Sequence, residues 1–514
     1  MSKFQSKSTS KTFSKTSPKI GQFVKTLREK NGINQEQFAQ LLETSPSTIE
    51  RIESGHQDFS PQNLDKITNI FNKKVIKLGD NTIDFRIHGG KKLIRNLTVN
   101  KSKNGAMGLL CASMLNQGKT TLYGIPYIEE VERLLEVMES IGVEINREGD
   151  RLEIQPPENF DIENINVKAA SKTRSIIMFL GPLIHCLKSF VLPNNQGCKL
   201  GKRTITPHLY GLEKMGVRIK VEEKGYRVKV GELKNCTFVM PEQGDTATEN
   251  ILIAAARIPG ITKIKFASTN YMVMDVIGIL KAMGVGVSLE TNCIVISGKK
   301  EINMGLEYYN SEDPIEAMTF IATTIVTESS ITIERCPIDY LELELLKLEM
   351  MGQKYKRSKT YKSQNGFTNL VDLTFIPSAL KALDDKITTQ PYPGINMDNL
   401  PFFVPIATQA KGSTLIHDWV YEDRAIYFTE LNRLDAKVTL ADTHRVIVEG
   451  KTEFKPTQMI CPPALRPSML ILIAMLRAPG ISVLRNVYSI RRGYQDIAER
   501  FNEAGLEIEI IENL

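Results

Sequence analysis

Cys198 lies in a polar, glycine-containing loop, Pro193-Asn-Asn-Gln-Gly-Cys198-Lys-Leu-Gly-Lys202-Arg203-Thr-Ile-Thr-Pro-His208, and Lys199, Lys202 and Arg203 follow within five residues. Cations so near a thiol stabilise its thiolate and lower its pKa from about 8.5. They would also hold a small polyanion beside the sulfur. A structural cysteine usually sits in an apolar run, as Cys111 and Cys186 do. Taken alone, the loop also reads as an exposed basic segment with an incidental thiol, because local cysteine signatures transfer poorly between families.

The elements that must position this loop repeat. From about residue 83 a helix-plus-strand unit recurs six times, its helices running into marker positions Gly142, Gly216, Gly284, Gly352, Asp435 and Gly505. The markers are 74, 68, 68, 83 and 70 residues apart. Glycine at such a place fits a left-handed residue just past a helix, with a strand starting after it. Asp435 is the exception, and aspartate tolerates that conformation better than most residues. Each unit also carries an earlier helix, apolar nearly all round and so expected to be buried. The spacing predicts these at 105–115, 176–186 and 248–257, then from near Ile315, Leu400 and Leu465.

A chain of 514 residues is too long for one core, which implies two to four domains. Its 42% apolar and 24% charged composition is that of a globular protein. No uncharged apolar run approaches a membrane span, and the polar start lacks a signal-peptide core, so no membrane partner is expected. Seven cysteines with no Cys-x-x-Cys pair argue against a disulfide framework or a zinc site and for a reducing cytoplasm. The net charge of +6 does not by itself imply nucleic acid.

Residues 1–16 read as a disordered basic tail, with Lys3, Lys7, Lys11 and Lys15 unmatched by any acid before Glu29. Residues 17–80 read as a small all-α domain. Ile20, Phe23, Val24 and Leu27 share one helical stripe, and a second helix is expected over 35–42. The third starts with Ser45 as N-cap and Pro46 at its first position, and runs to Glu53. It should bury Ile49 and Ile52 and present Ser47, Thr48, Glu50 and Arg51; Gly55 closes it, and a fourth helix follows near 64–71. This pattern resembles the phage-repressor (Cro-like) helix-turn-helix family, which implies duplex DNA as a partner, with Gln35, Ser47, Thr48 and Arg51 as contacts. Such heads usually read paired half-sites, so a homodimer is the matching assembly. With few cations on that face, the domain also reads as a dimerisation or protein-contact module.

Six units in two groups of three resemble the enolpyruvyl transferases, in particular their UDP-N-acetylglucosamine 1-carboxyvinyltransferase branch. The local strings agree: Lys103-Asn104-Gly-Ala, Thr173-Arg174-Ser, Gly197-Cys198-Lys-Leu-Gly-Lys-Arg203, Tyr392-Pro-Gly-Ile-Asn-Met-Asp398, Tyr421-Glu-Asp-Arg424, Leu465-Arg466 and Arg492-Gly-Tyr494. The resemblance implies a two-lobed inverse α/β barrel, with one lobe from 103–311 and the other from 81–102 and 312–514. The chain would cross between them near Lys103 and near Ser311-Glu312. It also implies transfer of the enolpyruvyl group from phosphoenolpyruvate to the 3-hydroxyl of UDP-N-acetylglucosamine, a step of peptidoglycan precursor synthesis, with no cofactor or metal. Lys103, Arg203, Arg466 and Arg492 would bind phosphoenolpyruvate, and Cys198, Asp398 and Lys103 would be catalytic. Asn104, Arg174, Asp398, Tyr421 and Arg424 would serve the sugar nucleotide. His208 and Asp275 also match, but read as structural residues.

Departures gather on the nucleotide side. A loop that usually reads Arg-Pro-Val-Asp-Leu-His is Arg203-Thr-Ile-Thr206-Pro-His208, and Ser-Val-Gly-Ala-Thr becomes Gly244-Asp245-Thr246-Ala247-Thr248. An acidic pair falls on Asn270 and Met272, and an Asp before Leu-Arg is Ala464. These changes motivate a rival reading, a DNA-binding regulator that uses the fold as a ligand sensor. The retained proton-transfer residues favour catalysis.

Overall fold

The computed structural model describes residues 24–26, 28–29, 32–54, 83–194 and 205–512. Cys198, Arg203, the basic tail, Gly55 and the helix expected near 64–71 lie outside the described residues. The chain divides near Ile83 into an amino-terminal unit and a large unit, Asp84–Ile510.

In the amino-terminal unit Asn34 and Gln37 form a reciprocal capping box that starts the helix Gln35–Leu41. The helix ends one residue before the expected boundary, with Leu42 as its cap. Ser45 Oγ accepts from the Thr48 amide at 3.2 Å, and the helix Pro46–Glu53 follows. Phe38, Ala39, Leu42, Ile49 and Ile52 bury the inner faces. Arg28 grips Glu53 with two hydrogen bonds, Nε to Oε1 at 2.5 Å and Nη2 to Oε2 at 3.0 Å.

In the large unit all six marker positions adopt positive φ, from 69° at Asp435 to 107° at Gly505. Each ends a helical segment and precedes a strand: Glu129–Ser140, Thr206–Lys214, Tyr271–Ala282, Glu342–Met350, Ala425–Leu434 and Ile497–Glu503. The fifth is wound as a 3-10 helix. The apolar helices are buried as their composition requires. Every residue of Pro314–Val326 is buried, and its threonines satisfy themselves locally. Thr319 Oγ1 donates to the Ile315 carbonyl at 2.8 Å, and Thr324 Oγ1 to Phe320 at 2.7 Å. The second unit differs from expectation: Arg174–Phe179 is 3-10 and only Leu180–Leu183 is α-helical. Pro182 supplies no amide and its ring crowds the preceding turn. Cys186, just past that helix, is exposed, whereas Cys111 is buried.

The described strands form six separate open sheets of three to five strands. Three are built between Thr120 and Tyr309, and three from Ile83–Gly89, Leu97–Thr98 and the strands from Thr332 onward. Among the described residues no helix is long and apolar enough to cross a membrane.

Two chain segments link the sheet groups, and they run side by side. Lys101 and Glu312 form an antiparallel bridge, Ser102 N donates to Ser311 O at 2.7 Å, and Asp313 N to Asn100 O at 2.9 Å. Against this junction Asp275 Oδ2 accepts from Ser311 Oγ, and a Cβ at Gly105 would meet the same oxygen at 2.4 Å. Burial pushes the Asp275 carboxyl up to about 7, although Ser311 and Lys101 oppose the rise; Glu312 adds to it. A raised acid binds its proton more tightly when folded. Its share of stability is therefore full below the unfolded pKa of about 4 and is lost as pH rises toward 7. Asp275→Asn should remove that slope, worth about 1.4 kcal/mol per unit of pKa difference. Melting curves of both proteins between pH 5 and 8 would check it, and parallel curves would refute it.

Candidate active site

Both linking segments lead straight into helix N-termini. Ser102 Oγ accepts from the Gly105 amide at 2.9 Å and caps Lys103–Ser113. Asp313 Oδ1 accepts from Ile315 N at 2.8 Å and Glu316 N at 3.3 Å, capping Pro314–Val326, while its Oδ2 accepts from Lys103 N at 3.4 Å. Lys103 is thereby fixed at the junction, and its Nζ donates to Glu130 Oε2 at 3.0 Å.

Glu130 reports what surrounds it. Burial alone would raise its carboxyl, yet Lys103, then Arg492 and Arg466, hold it below the usual carboxylate range. Three cations thus converge on one carboxylate, and Arg492 Nε is buried with no partner among the described residues. A cation that keeps a buried, unused donor is a place for an added anion.

Arg466, second residue of the helix Leu465–Arg477, donates to Tyr494 OH at 2.8 Å and to Asp398 Oδ2 at 3.3 Å. Tyr494 OH also shares a hydrogen bond with Thr319 Oγ1 at 2.7 Å. Burial works against the Arg466 charge, but Tyr494, Asp398, Asp313 and Tyr271 together raise its pKa. The loop carrying Asp398 is pinned by Glu344 Oε1, which accepts from Asn396 N at 3.1 Å and Asn399 Nδ2 at 2.8 Å.

Arg424 stands behind that loop. Its Nε donates to Asp418 Oδ2 at 2.5 Å and its Nη2 to the Met397 carbonyl at 2.6 Å, while Cζ lies 4.0 Å from the Tyr421 ring centre. Nη1 is 3.7 Å from Asp398 Oδ1. Arg424 is 1% and Tyr421 5% exposed, and the contacts seen here run to Asp418, Met397, Asp398 and between the two side chains.

On the other wall Asn104 Nδ2 donates to Tyr271 OH at 2.9 Å. Burial, then Asp313 and Asp398, raise the Tyr271 hydroxyl, so Tyr271 shares the neighbourhood of Asp398. Arg174 has a different setting. It opens its 3-10 helix beside His208 and Tyr226. Burial, helped by Arg174, pushes His208 down to about 3, and its Nδ1 pairs with Asn250 Nδ2 at 3.1 Å. A histidine so held is neutral and structural.

In the amino-terminal unit Ser47 and Arg51 are exposed, and Thr48 partly so. Both hydroxyls lean on Ser45 Oγ, at 2.9 Å from Ser47 and 2.8 Å from Thr48. Gln35 Nε2 donates to Glu53 Oε2 at 2.8 Å and so braces the Arg28–Glu53 pair.

The structure therefore brings Lys103, Arg466, Arg492 and Asp398 into one neighbourhood, places Arg424 beside Asp398 with the Tyr421 ring against it, and keeps Arg174 with His208. Sequence reasoning missed Glu130, Tyr271 and Asp418. Nothing local marks them, since each is recognised only by a partner on another element.

Residues 87–501 match the EPSP synthase (3-phosphoshikimate 1-carboxyvinyltransferase) family, and residues 24–78 match the helix-turn-helix family. The UDP-N-acetylglucosamine 1-carboxyvinyltransferase of Bacteroides thetaiotaomicron is 28% identical over 433 residues, covering 82% of this chain and 99% of that protein. The enzyme of the same name from Treponema denticola is 29% identical over 436 residues, 84% of this chain and 99% of its own. Among solved structures, the enolpyruvyl transferase NikO from Streptomyces tendae superposes with a TM-score of 0.74 at 20% identity, over 85% of this chain and all of that one. An EPSP synthase from Acinetobacter baumannii gives 0.67 at 21% identity, over 84% of this chain and 100% of its own.

Proposed function

Because the chain belongs to the EPSP synthase family of enolpyruvyl transferases, we propose that it moves the enolpyruvyl group of phosphoenolpyruvate to the 3-hydroxyl of UDP-N-acetylglucosamine and releases phosphate. The observation that carries this reading is the convergence of Lys103, Arg492 and Arg466 on Glu130, with Asp398 bonded to Arg466.

Lys103, Arg466 and Arg492, with Arg203, bind the carboxylate and phosphate of phosphoenolpyruvate. Guanidinium groups suit both, because they bind oxyanions in pairs of hydrogen bonds. Protonation of the methylene carbon, assisted by Cys198, leaves C2 cation-like, and the sugar hydroxyl attacks it as Asp398 takes the hydroxyl proton. Loss of a methyl proton then expels phosphate and restores the double bond. Asn104 and Arg174 hold the acceptor, and Arg424 and Tyr421 hold Asp398 in line. The lobes 103–311 and 81–102 with 312–514 close on the substrates about the paired segments at Lys101 and Glu312. The product is a peptidoglycan precursor made in the cytoplasm. The helix-turn-helix unit binds duplex DNA through Ser47, Thr48 and Arg51, as a homodimer.

Phosphate release by the full-length protein tests the reaction. Release should require phosphoenolpyruvate and UDP-N-acetylglucosamine together; a rate no higher than with phosphoenolpyruvate alone would reject the acceptor.

A further inference from the structure

Three elements meet at the Tyr494 hydroxyl. It lies 2.8 Å from Arg466 Nη1 and 2.7 Å from Thr319 Oγ1. A guanidinium has donors and no acceptor, so Tyr494 accepts from Arg466. Thr319 has a single hydroxyl proton, and it goes to the Ile315 carbonyl of its own helix at 2.8 Å. The Tyr494 proton therefore goes to Thr319, and every proton is used once. The groups form a one-way chain from Arg466 through Tyr494 and Thr319 to the Ile315 carbonyl, in which each bond polarises the next.

The chain has rigid ends. Thr319 and Ile315 belong to Pro314–Val326, buried throughout and capped by Asp313. Tyr494 N donates to the Ile490 carbonyl at 3.0 Å. The turn that carries Tyr494 lies against Leu465, so close that a Cβ on Gly493 would meet Leu465 Cδ2 at 2.4 Å. Tyr494 also lines one cleft with Lys103, Asp313 and Gln495. From this fixed point Arg466 reaches Asp398, its Nη2 donating to Oδ2 at 3.3 Å. That bond is the looser of the two. An arginine side chain has many rotamers, and it keeps one aim only where a second, tighter contact holds it.

We propose that Tyr494, oriented by Thr319, is a positioning residue that holds the Arg466 guanidinium in line with Asp398 and with the phosphoenolpyruvate site. Tyr494 acts through Arg466 and not on the substrate itself. This rests on the enolpyruvyl-transfer reading, in which Arg466 binds phosphoenolpyruvate and Asp398 takes the sugar-hydroxyl proton.

The test uses full-length wild type, Tyr494→Phe, Thr319→Val, Thr319→Ser and the double variant Tyr494→Phe, Thr319→Val. Phosphate release is measured with phosphoenolpyruvate and UDP-N-acetylglucosamine. Phenylalanine keeps the ring whose centre lies 5.3 Å from Arg466 Cζ and removes only the hydroxyl. Tyr494→Phe should lower kcat/KM for phosphoenolpyruvate about tenfold, roughly the effect of one hydrogen bond to a charged group. KM for the sugar nucleotide should stay within about twofold, because uniform binding of the acceptor is untouched. Thr319→Val should lose about threefold, and Thr319→Ser, which keeps the hydroxyl, should stay within about twofold of wild type. The double variant should be no worse than Tyr494→Phe, since members of one chain are not additive.

Tyr494→Phe within about twofold of wild type would overturn the inference. Thr319→Ser as impaired as Thr319→Val, or losses that multiply in the double variant, would overturn it too, as packing effects. So would an acceptor KM that rises as much as that of phosphoenolpyruvate. A wild type that releases no phosphate would overturn the enolpyruvyl-transfer reading, and this inference with it.

Discussion

Replacing Asp398 with asparagine should lower kcat by about 10²–10⁴-fold, the range for a positioned general base. The amide keeps the volume and can still occupy the place between Arg466 and Arg424, whose guanidinium nitrogens lie 3.3 and 3.7 Å from the two carboxylate oxygens. It cannot take the hydroxyl proton. In the proposed mechanism phosphoenolpyruvate is held mainly by Lys103, Arg492 and Arg466, so its KM should change far less than kcat. Single-turnover phosphate release would separate the two effects. A kcat within about threefold of wild type would remove Asp398 from the chemistry and shift attention to Asp313 and Tyr271.

Asp418→Ala should have the larger effect on stability. Arg424 and Asp418 are 1% and 0% exposed at the side chain and meet at 2.5 Å. Removing the acid leaves a buried guanidinium without its partner, at a cost of about 3–5 kcal/mol. Isolated buried ion pairs add little stability over apolar replacements of the same size, so the double variant Asp418→Leu, Arg424→Met should recover most of the loss. It should not recover activity, because Arg424 also binds the Met397 carbonyl and flanks Asp398. Denaturant unfolding of the single and double variants, beside kcat, measures both halves. A loss below about 1 kcal/mol for Asp418→Ala would show that water reaches the pair.

Much of this architecture was written in local patterns. Asn34, Ser45 and Pro46 announce their helices because caps act on amides two or three residues away. The six markers foretell left-handed residues, Asp435 included, because that conformation depends on the residue itself and the turn it ends. Burial of Pro314–Val326 and of Arg466 to Leu476 follows from side chains that are apolar on nearly every face. The second unit was less legible, since a single proline outweighed an apolar periodicity.

The candidate site divides along the same line. Residue types and the family resemblance were enough to single out Lys103, Arg466, Arg492 and Asp398 as reactive or anion-binding. Which group each one meets came only with the tertiary structure. Lys103 finds Glu130 across 27 residues, Arg466 finds Asp398 across 68, and Asn104 finds Tyr271 across 167. A charge's partner is chosen by distance in space, and here that distance is set by sheets and paired linking segments from opposite ends of the chain. The same reason hid the partners of Arg424, which are Asp418 and the Met397 carbonyl. Short-range sterics and capping are properties of a segment, whereas the field at a buried carboxylate belongs to everything folded around it.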